Sequence, residues 1–414
     1  MTKDFWHNNF KGDRTIWIIF FALIIISAIE VYSASSSLAY GPKSNGNFNG
    51  PIFRHLILSC VGIGFAFGFH LVNINRWARI ISIAGWPICI AWVLYVSFTG
   101  NAVNGAARWA TIPHTGIQLQ PSELLKLAYI VFIAYIFSCF PSYEESKKKI
   151  FAWLIPICLL TVFAIGKDNT SNAILILTTS SLVFCLAYAK SKWLITGVLS
   201  LTIAGTIGIA FVKTDIFQDV KNSSRGFGRL GTGFERVERF VNAKEPGDKD
   251  FKITDKNFQP IHGKIAIANS HGLGVLPGRS KERDVLPQAY SDFIYAIIIE
   301  ETGIFGGALV LFLYLLLLFR VGRIIALSKS RFAAITAAGL GLMLVLQALI
   351  NVCVAVGLIP VTGQPLPLIS RGGTSAIVIS IYFGILLSIS RYECEEQENN
   401  KKGNATTETV AETA

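Results

Sequence analysis

Polar and ionisable residues form three clusters at the edges of long apolar stretches, where such residues are costly and therefore candidates for function. In the cluster at 286–303, Asp292 precedes Ile-rich sequence and has no basic residue within one helical turn along the chain. A carboxylate at such an apolar boundary resists ionisation unless a cation from elsewhere neutralises it. This environment suits a general base, but Ser291 or Asp292 could instead cap the N-terminus of a helix. If the stretch is helical, Glu300 returns to within roughly 80° of the same face.

A second cluster comprises Arg108-Trp109 and the segment 120–126. Pro121 is suited to the first turn of a helix, where its missing N–H would have no partner in any case. Glu123 and Lys126 are three residues apart, so they share a helix face and can form an ion pair. That pair could serve chemistry or only brace the helix, and Arg108 beside Trp109 could be a simple anchor at the membrane interface.

The third cluster, 357–375, is rich in proline and glycine at the junction of two apolar stretches. Non-helical backbone at membrane depth is tolerated only where it is buried in protein or lines a wet cavity. Its backbone N–H groups, with Arg371 and Thr374, could hold an anion where the last span begins. Upstream, Gln347 and Asn351 lie four residues apart on one face of an apolar helix. They could form interhelical hydrogen bonds or contact a substrate.

The elements that must position these clusters are transmembrane helices. Hydrophobic residues make up 52% of the chain and charged residues 15%, against roughly 25% charged residues in soluble proteins. Blocks of about 20 apolar residues, the length needed to cross a bilayer, recur along the chain. The predicted spans are 15–39, 52–72, 80–99, 121–139, 150–166, 172–189, 193–212, 293–319, 332–357 and 373–390. The composition therefore predicts an all-α polytopic membrane protein with about ten spans and excludes a soluble domain.

Lysine and arginine in the short loops predict the orientation, because cytoplasmic loops retain basic residues. They place an N-terminal segment, 1–14, and a tail, 391–414, in the cytoplasm on either side of a membrane domain, 15–390. The Glu-, Asn- and Thr-rich tail is predicted to be disordered. The long segment 213–290, between spans 7 and 8, is predicted to be an extracytoplasmic loop with mostly solvated residues. The net charge of +11 then reflects topology rather than nucleic-acid binding, and the seven cysteines predict neither a disulfide nor a metal site.

At these clusters the chain resembles the SEDS family (shape, elongation, division and sporulation), which includes the FtsW, RodA and SpoVE groups. The matching segments, in the family's order, are 105–109, 120–126, 264–274, 286–303 and 346–375. Residues 286–301 and 359–363 are more similar to the FtsW group than to the RodA group. The chain departs from the family pattern at 166–172, where a Glu-Pro-Asp-Leu-Gly-Thr stretch is common, at His262-Gly263, and at Arg371, where a tyrosine is usual.

The resemblance implies a peptidoglycan glycosyltransferase that polymerises lipid II on the outer face of the bacterial cytoplasmic membrane. The family's essential aspartate corresponds to Asp292, which we interpret as a general base. The residues assigned to substrate binding share a place in the matching motifs or a positive charge near them. They are Arg108, Trp109, Glu123, Lys126, Lys264, Ser370, Arg371, Gly372 and Gly373. No cofactor is required by this interpretation, although a divalent cation could assist the leaving group.

The resemblance also implies partners, namely a class B penicillin-binding protein and other proteins of the division machinery. Two other functions remain open from the sequence. A lipid II flippase would also need wet cavities, broken helices and intramembrane charges, but its polar residues should continue to the inner face. A non-catalytic scaffold for division proteins would not need Asp292.

Overall fold

The computed structural model describes residues 11–34, 49–99, 110–111, 118–166, 169–188, 229–242, 252–254, 257–286, 289–371 and 373–412. Within these ranges the protein is helical apart from two paired two-residue strands. Nine of the described helices are long and apolar enough to cross a membrane. The prediction of an all-α polytopic protein is confirmed, and the predicted span at 193–212 lies outside the described residues.

The helices are labelled in chain order. The first six are α1 (Arg14–Ala34), α2 (Asn49–Leu71), α3 (Ile74–Thr99), α4 (Pro121–Cys139), α5 (Tyr143–Gly166) and α6 (Thr170–Tyr188). Between α3 and α4, strand β1 (Ala110–Thr111) pairs antiparallel with β2 (Gln118–Leu119). Three shorter helices follow, α7 (Arg229–Val241), α8 (Phe258–Asn269) and α9 (Glu282–Val285). The last three are α10 (Ile294–Leu327), α11 (Arg331–Ala355) and α12 (Gly373–Glu412).

Helices α11 and α12 lie at the centre of the bundle and have the most buried spans, whereas α2 and α3 have the least buried ones. Helix α11 packs against α4, α6 and α10, and α12 packs mainly against α2. The spans carry apolar residues on all faces, because those facing lipid must be as apolar as those facing the core. Exposed side chains such as Phe163 and Phe305 therefore belong to the surface that lipid covers.

One end of the bundle, here called the Arg331 end, is held together by ionic contacts between helix termini. Asp13, just before α1, pairs with Arg320 of α10 at 2.6 Å. The Arg331 guanidinium donates to the carbonyl oxygens of Phe137 at 3.1 Å and Ala187 at 2.9 Å, in the last turns of α4 and α6. A cation at a helix C-terminus satisfies carbonyls that have no partner within the helix. These contacts join the start of α1 to α10, and the start of α11 to the ends of α4 and α6.

The opposite end, here called the Asp292 end, carries part of the long loop, and this part packs on the bundle instead of projecting freely from it. Residues 257–286, the docked loop, pack on α10, with Ala266 fully buried and Gly263 against the Phe293 ring. The backbone N–H groups of Val275 and Leu276 donate to the carbonyls of α10 residues Glu300 (2.9 Å) and Glu301 (2.8 Å). The loop therefore completes the end of the membrane domain.

A break in α10 at Gly303 makes this docking possible. Gly303 has φ 74° and ψ −174°, a backbone conformation that only glycine adopts readily. The break directs the Ile304 N–H to the Gly272 carbonyl at 3.0 Å. A Cβ atom on Gly303 would lie 2.5 Å from that same carbonyl oxygen, so the close approach of the two backbones also requires glycine.

The last helix is longer than its predicted span. Helix α12 continues to Glu412, beyond the predicted end of the last span at 390. Glu393 fastens this extension, because it accepts from the Ser328 hydroxyl (2.7 Å) and the Lys329 N–H (3.2 Å) between α10 and α11. A helix that continues from a membrane span needs no new nucleation, and the Glu, Lys and Gln residues of the tail are good helix formers.

Replacing Gly303 with alanine should destabilise the protein by about 2 kcal/mol or more, because the side chain meets both backbone strain and the Gly272 carbonyl. Unfolding of the purified protein in detergent measures this change. Gly322→Ala is the matched control, since Gly322 lies in regular α10 and a Cβ there would meet nothing within 4 Å. That variant should be neutral or stabilised by up to about 1 kcal/mol. Equal stabilities for the two variants would contradict the account of the break.

Candidate functional site

Asp292 lies at the start of α10 but does not cap it. The helix begins at Ile294, its N-cap is Phe293, and no side chain makes a capping hydrogen bond there. Instead the half-buried Asp292 accepts a hydrogen bond from the Ser291 hydroxyl at 2.9 Å. The capping alternative that the sequence left open is therefore wrong, and the carboxylate belongs to the surroundings of the helix start.

The backbone around Asp292 is held by the non-helical segment 357–371 between α11 and α12, here called the break segment. The Ser370 hydroxyl donates to the Ser291 carbonyl at 2.7 Å, and the Arg371 N–H donates to the Tyr290 carbonyl at 2.9 Å. In the same segment, a Cβ on Gly363 would lie 3.5 Å from Asp292 Oδ2. Non-helical backbone is thus placed against the carboxylate.

One side chain of helix α11 binds both the residues before α10 and the break segment. The Asn351 amide donates to the carbonyl oxygens of Asp292 at 3.0 Å and of Gln364 at 2.7 Å. One turn earlier, the Gln347 amide donates to the Pro365 carbonyl at 3.0 Å. The amide nitrogens of Gln347 and Asn351 thus form hydrogen bonds within the protein, one of the two alternatives that the sequence left open. These bonds fix how the break segment lies against Asp292.

Glu123 and Lys126 of α4 form a buried ion pair with an Nζ–Oε1 distance of 2.8 Å. Lys126 is 1% exposed, and its ammonium also lies 3.4 Å from the side-chain oxygens of Asn172 and Gln347. The pair therefore bridges α4, α6 and α11 and connects, through Gln347, to the break segment. As predicted, Pro121 opens α4. The arrangement supports the bracing interpretation of the pair more than a direct contact with substrate.

Two further predicted cations lie at the two ends of the break segment in different settings. Lys264 on α8 is exposed, and its side chain lies so close to Gly357 that a Cβ there would be 2.7 Å from Lys264 Cε. The Arg371 guanidinium lies 5.2 Å from the centre of the Tyr290 ring. Burial lowers the pKa of Arg371, the Tyr290 hydroxyl opposes this, and Arg54 adds to it. An arginine remains charged despite such a change.

The two glutamates that follow Asp292 have structural roles instead of facing it. Glu300 accepts from the Ser280 hydroxyl and from the Lys281 N–H. Glu301 accepts from the Ser33 hydroxyl of α1 and lies 3.8 Å from the Arg283 guanidinium. Both carboxylates therefore hold the docked loop on the bundle, and the predicted helical proximity of Glu300 to Asp292 does not bring them together.

The remaining predicted site residues fall into two groups. Arg108, Trp109 and Gly372 lie outside the described residues. Gly373 begins α12, and the adjacent Thr374 hydroxyl accepts from the Gln120 N–H at 3.3 Å, which joins the starts of α12 and α4. Within the described ranges, no group of three or more His, Cys, Asp or Glu residues is placed to hold a metal ion.

A polar contact between the first two spans was not predicted from the sequence. The Ser27 hydroxyl donates to the Ile369 carbonyl at 2.9 Å and lies 3.0 Å from His55 Nε2. Because a hydroxyl has one proton to donate, His55 Nε2 must be the donor in the second bond. Both side chains are buried, and ionisable residues inside spans are functional candidates by default. A histidine within an apolar span was therefore a signal available in the sequence. Together with Ser27, His55 holds the break segment at the Ile369 carbonyl.

The fold and site define a polytopic membrane protein whose helices surround a polar, carboxylate-containing region at one end of the bundle. Residues 13–395 match the family described as cell cycle protein, FtsW/RodA/SpoVE. This match covers more than half of the chain, so the chain belongs to the FtsW/RodA/SpoVE family. The predicted SEDS resemblance is thereby confirmed.

Individual relatives agree with this assignment. The chain is 31% identical over 386 residues to the "Probable peptidoglycan glycosyltransferase FtsW" of Buchnera aphidicola subsp. Baizongia pistaciae, covering 91% of this chain and 93% of the relative. Thermus thermophilus RodA has a similar fold, with a TM-score of 0.61, 19% identity and coverage of 92% and 97%. A chain from a study of polymerization and crosslinking by a peptidoglycan synthase complex gives a TM-score of 0.68 at 18% identity, covering 92% and 98%. At these identities the two structures support the fold alone.

Lys126→Met should destabilise the protein by about 3–5 kcal/mol, because it leaves the buried Glu123 carboxylate without its cation. The double variant Glu123→Gln/Lys126→Met should regain most of that loss, since no buried charge remains. Unfolding in detergent measures all three proteins. Lys147→Met is the control, because Lys147 forms an exposed pair with Glu144 at the same spacing and should change stability by less than about 1 kcal/mol. A double variant as unstable as Lys126→Met would contradict the bracing role.

Proposed function

We propose that this protein is a peptidoglycan glycosyltransferase that polymerises lipid II, with Asp292 as the general base. The observation that carries the proposal is the position of Asp292. The residue does not cap its helix, and two other elements hold its backbone at the edge of the membrane domain. The family assignment and the relative named as a peptidoglycan glycosyltransferase support the reaction class.

In the proposed reaction, the sugar 4-hydroxyl of one lipid-linked disaccharide attacks the anomeric carbon of another. The new glycosidic C–O bond forms as the bond to undecaprenyl diphosphate breaks, and Asp292 takes the hydroxyl proton. A single carboxylate base acting in one displacement predicts inversion at the anomeric carbon, as in inverting glycosidases. The diphosphate leaves with the bonding electron pair and needs no proton if cations stabilise it.

The cations suited to that role are Lys264 and Arg371. Lys264 is exposed, and its side chain lies beside Gly357 at the beginning of the break segment. Arg371 ends the segment, with its backbone N–H bonded to Tyr290. Arg108 is a third candidate from the sequence. We assign Lys126 to positioning instead, because its ammonium is buried and already pairs with Glu123.

We place the Asp292 end at the outer face of the bacterial cytoplasmic membrane, with both termini in the cytoplasm. The basic short loops predicted this orientation, and the ionic Arg331 end contains the residues expected inside. Greater similarity to the FtsW group supports a role in cell division. The related chain from a peptidoglycan synthase complex supports a class B penicillin-binding protein as partner, and other division proteins follow from the same role.

Asp292→Asn should fold normally yet lose at least about 100-fold in polymerisation rate, because the amide cannot accept the proton as a general base does. The rate is measured as glycan product formed from lipid II by the purified protein with its partner. Asp284→Asn is the control, since Asp284 is an exposed carboxylate on α9 of the docked loop, and this variant should retain full activity. Normal polymerisation by Asp292→Asn would end the assignment of the base.

The same assay separates the alternatives. Lipid II labelled in one leaflet of a vesicle reports transport, so a flippase would move the label without making polymer. A non-catalytic scaffold would neither move the label nor make polymer.

The Glu123→Gln/Lys126→Met variant, measured in the polymerisation assay, tests the role of Lys126. If Lys126 only neutralises Glu123, polymerisation should recover together with stability, whereas a stable but inactive protein would show that the ammonium has a further role, in orienting Gln347 or in contacting the substrate.

A further inference from the structure

Three side chains, two on the break segment and one on α11, carry buried polar atoms that have no hydrogen-bond partner in the described part of the chain. They are Gln364 Oε1 and Nε2, Thr362 Oγ1 and Asn351 Oδ1. Gln364 is 2% exposed, and both ends of its amide are unpaired. Buried polar groups in native proteins are nearly always hydrogen-bonded, because an unpaired one destabilises the fold. Their concentration in one place therefore calls for a functional explanation.

The surrounding contacts fix these three residues beside the carboxylate. The Asn351 amide nitrogen is already bonded to both the Asp292 and the Gln364 carbonyls, so its remaining atom, Oδ1, lies in the same place. The Ser171 hydroxyl of α6 donates to the Thr362 carbonyl at 3.1 Å. Between Thr362 and Gln364, Gly363 lies against Asp292 Oδ2. The backbone is thus held from α6 and α11, while the side-chain polar atoms of Thr362 and Gln364 have no hydrogen-bond partner in the described ranges.

We propose that Gln364, Thr362 and Asn351 form a subsite that binds an uncharged, hydrogen-bonding substituent of the substrate sugar, most suitably its 2-acetamido group. This inference rests on the proposed function. A primary amide offers a donor and an acceptor together, which matches the C=O and N–H of an acetamido group. None of the three side chains carries a charge, so the subsite does not suit a phosphate, which would be bound by cations such as Arg371 and Lys264.

Gln364→Met and Thr362→Val keep the shape of the side chains and remove their hydrogen-bonding groups. Each variant should raise the KM for lipid II about three- to tenfold with little change in kcat, the pattern of lost substrate binding. Each should also be as stable as the wild type or more stable, because a buried unpaired group has been removed. The opposite directions of the two effects separate substrate binding from structural damage. Thr362→Ser retains the hydroxyl and should keep the wild-type KM.

Thr336→Val is the matched control. Thr336 lies on α11, 15 residues before Asn351 and thus about 22 Å away along the helix, and its hydroxyl is also buried without a partner. The same substitution there should raise stability and leave KM unchanged. A second readout uses lipid II with a free 2-amino group in place of acetamido. The wild type should prefer the acetylated substrate, and Gln364→Met should reduce that preference by a similar factor.

An unchanged KM and an unchanged preference in both Gln364→Met and Thr362→Val would overturn the subsite. So would a fall in kcat at constant KM, which would assign these residues to positioning rather than binding. These outcomes differ from a failure of the proposed function itself. If the proposed function fails, the wild-type protein with its partner produces no polymer. If only the subsite fails, the wild type polymerises and the variants keep its KM and its substrate preference.

Discussion

The Asn351 amide is the contact on which the arrangement at the Asp292 end depends. Its two N–H groups donate to the Asp292 carbonyl before α10 and to the Gln364 carbonyl of the break segment. One side chain on a central helix therefore sets the distance between two non-helical segments. Inside a membrane protein these carbonyls have little water to bond instead. The cost of leaving these carbonyls unpaired holds the two segments in one relative position. The donors of Ser370 and Arg371 then reach the carbonyls of the residues before Asp292.

Buried charged side chains also support this arrangement. The Glu123–Lys126 pair does not by itself argue for stability, since burying two charges costs about as much as their attraction returns. Its value is geometric, because the ammonium also reaches Asn172 and Gln347 and so orients the amide that binds the break segment. Glu300 and Glu301 also have a geometric role, because their carboxylates bind the docked loop to α10. Three buried glutamates therefore fix the surroundings of one half-buried aspartate.

The sequence predicted the elements well and their contacts only in part. Apolar blocks of span length specified the nine described spans, and Pro121 marked the start of α4, because both signals are local. The sequence could not predict that α10 breaks at Gly303, since that glycine is needed only because Gly272 and Gly274 of a distant loop approach it. Polarity made 257–286 look solvated, although two backbone N–H groups of the loop pair with α10 carbonyls. The pairing of Lys126 with Asn172 and Gln347 likewise depends on helices far apart in the chain.

The way in which Asp292 is held bears on its proposed role as a general base. Glu123, Glu300 and Glu301 are fixed through their carboxylates, which bind a cation or several donors. The main chain at Asp292 is fixed by Asn351 at its own carbonyl and by Ser370 and Arg371 at the two preceding residues, and its carboxylate accepts from the Ser291 hydroxyl. A group that must accept a proton needs an accurate position, but a carboxylate bound by strong donors becomes a weaker base. Holding the backbone meets the first requirement through contacts that do not use the carboxylate, which suits the proposed role of Asp292 as a base.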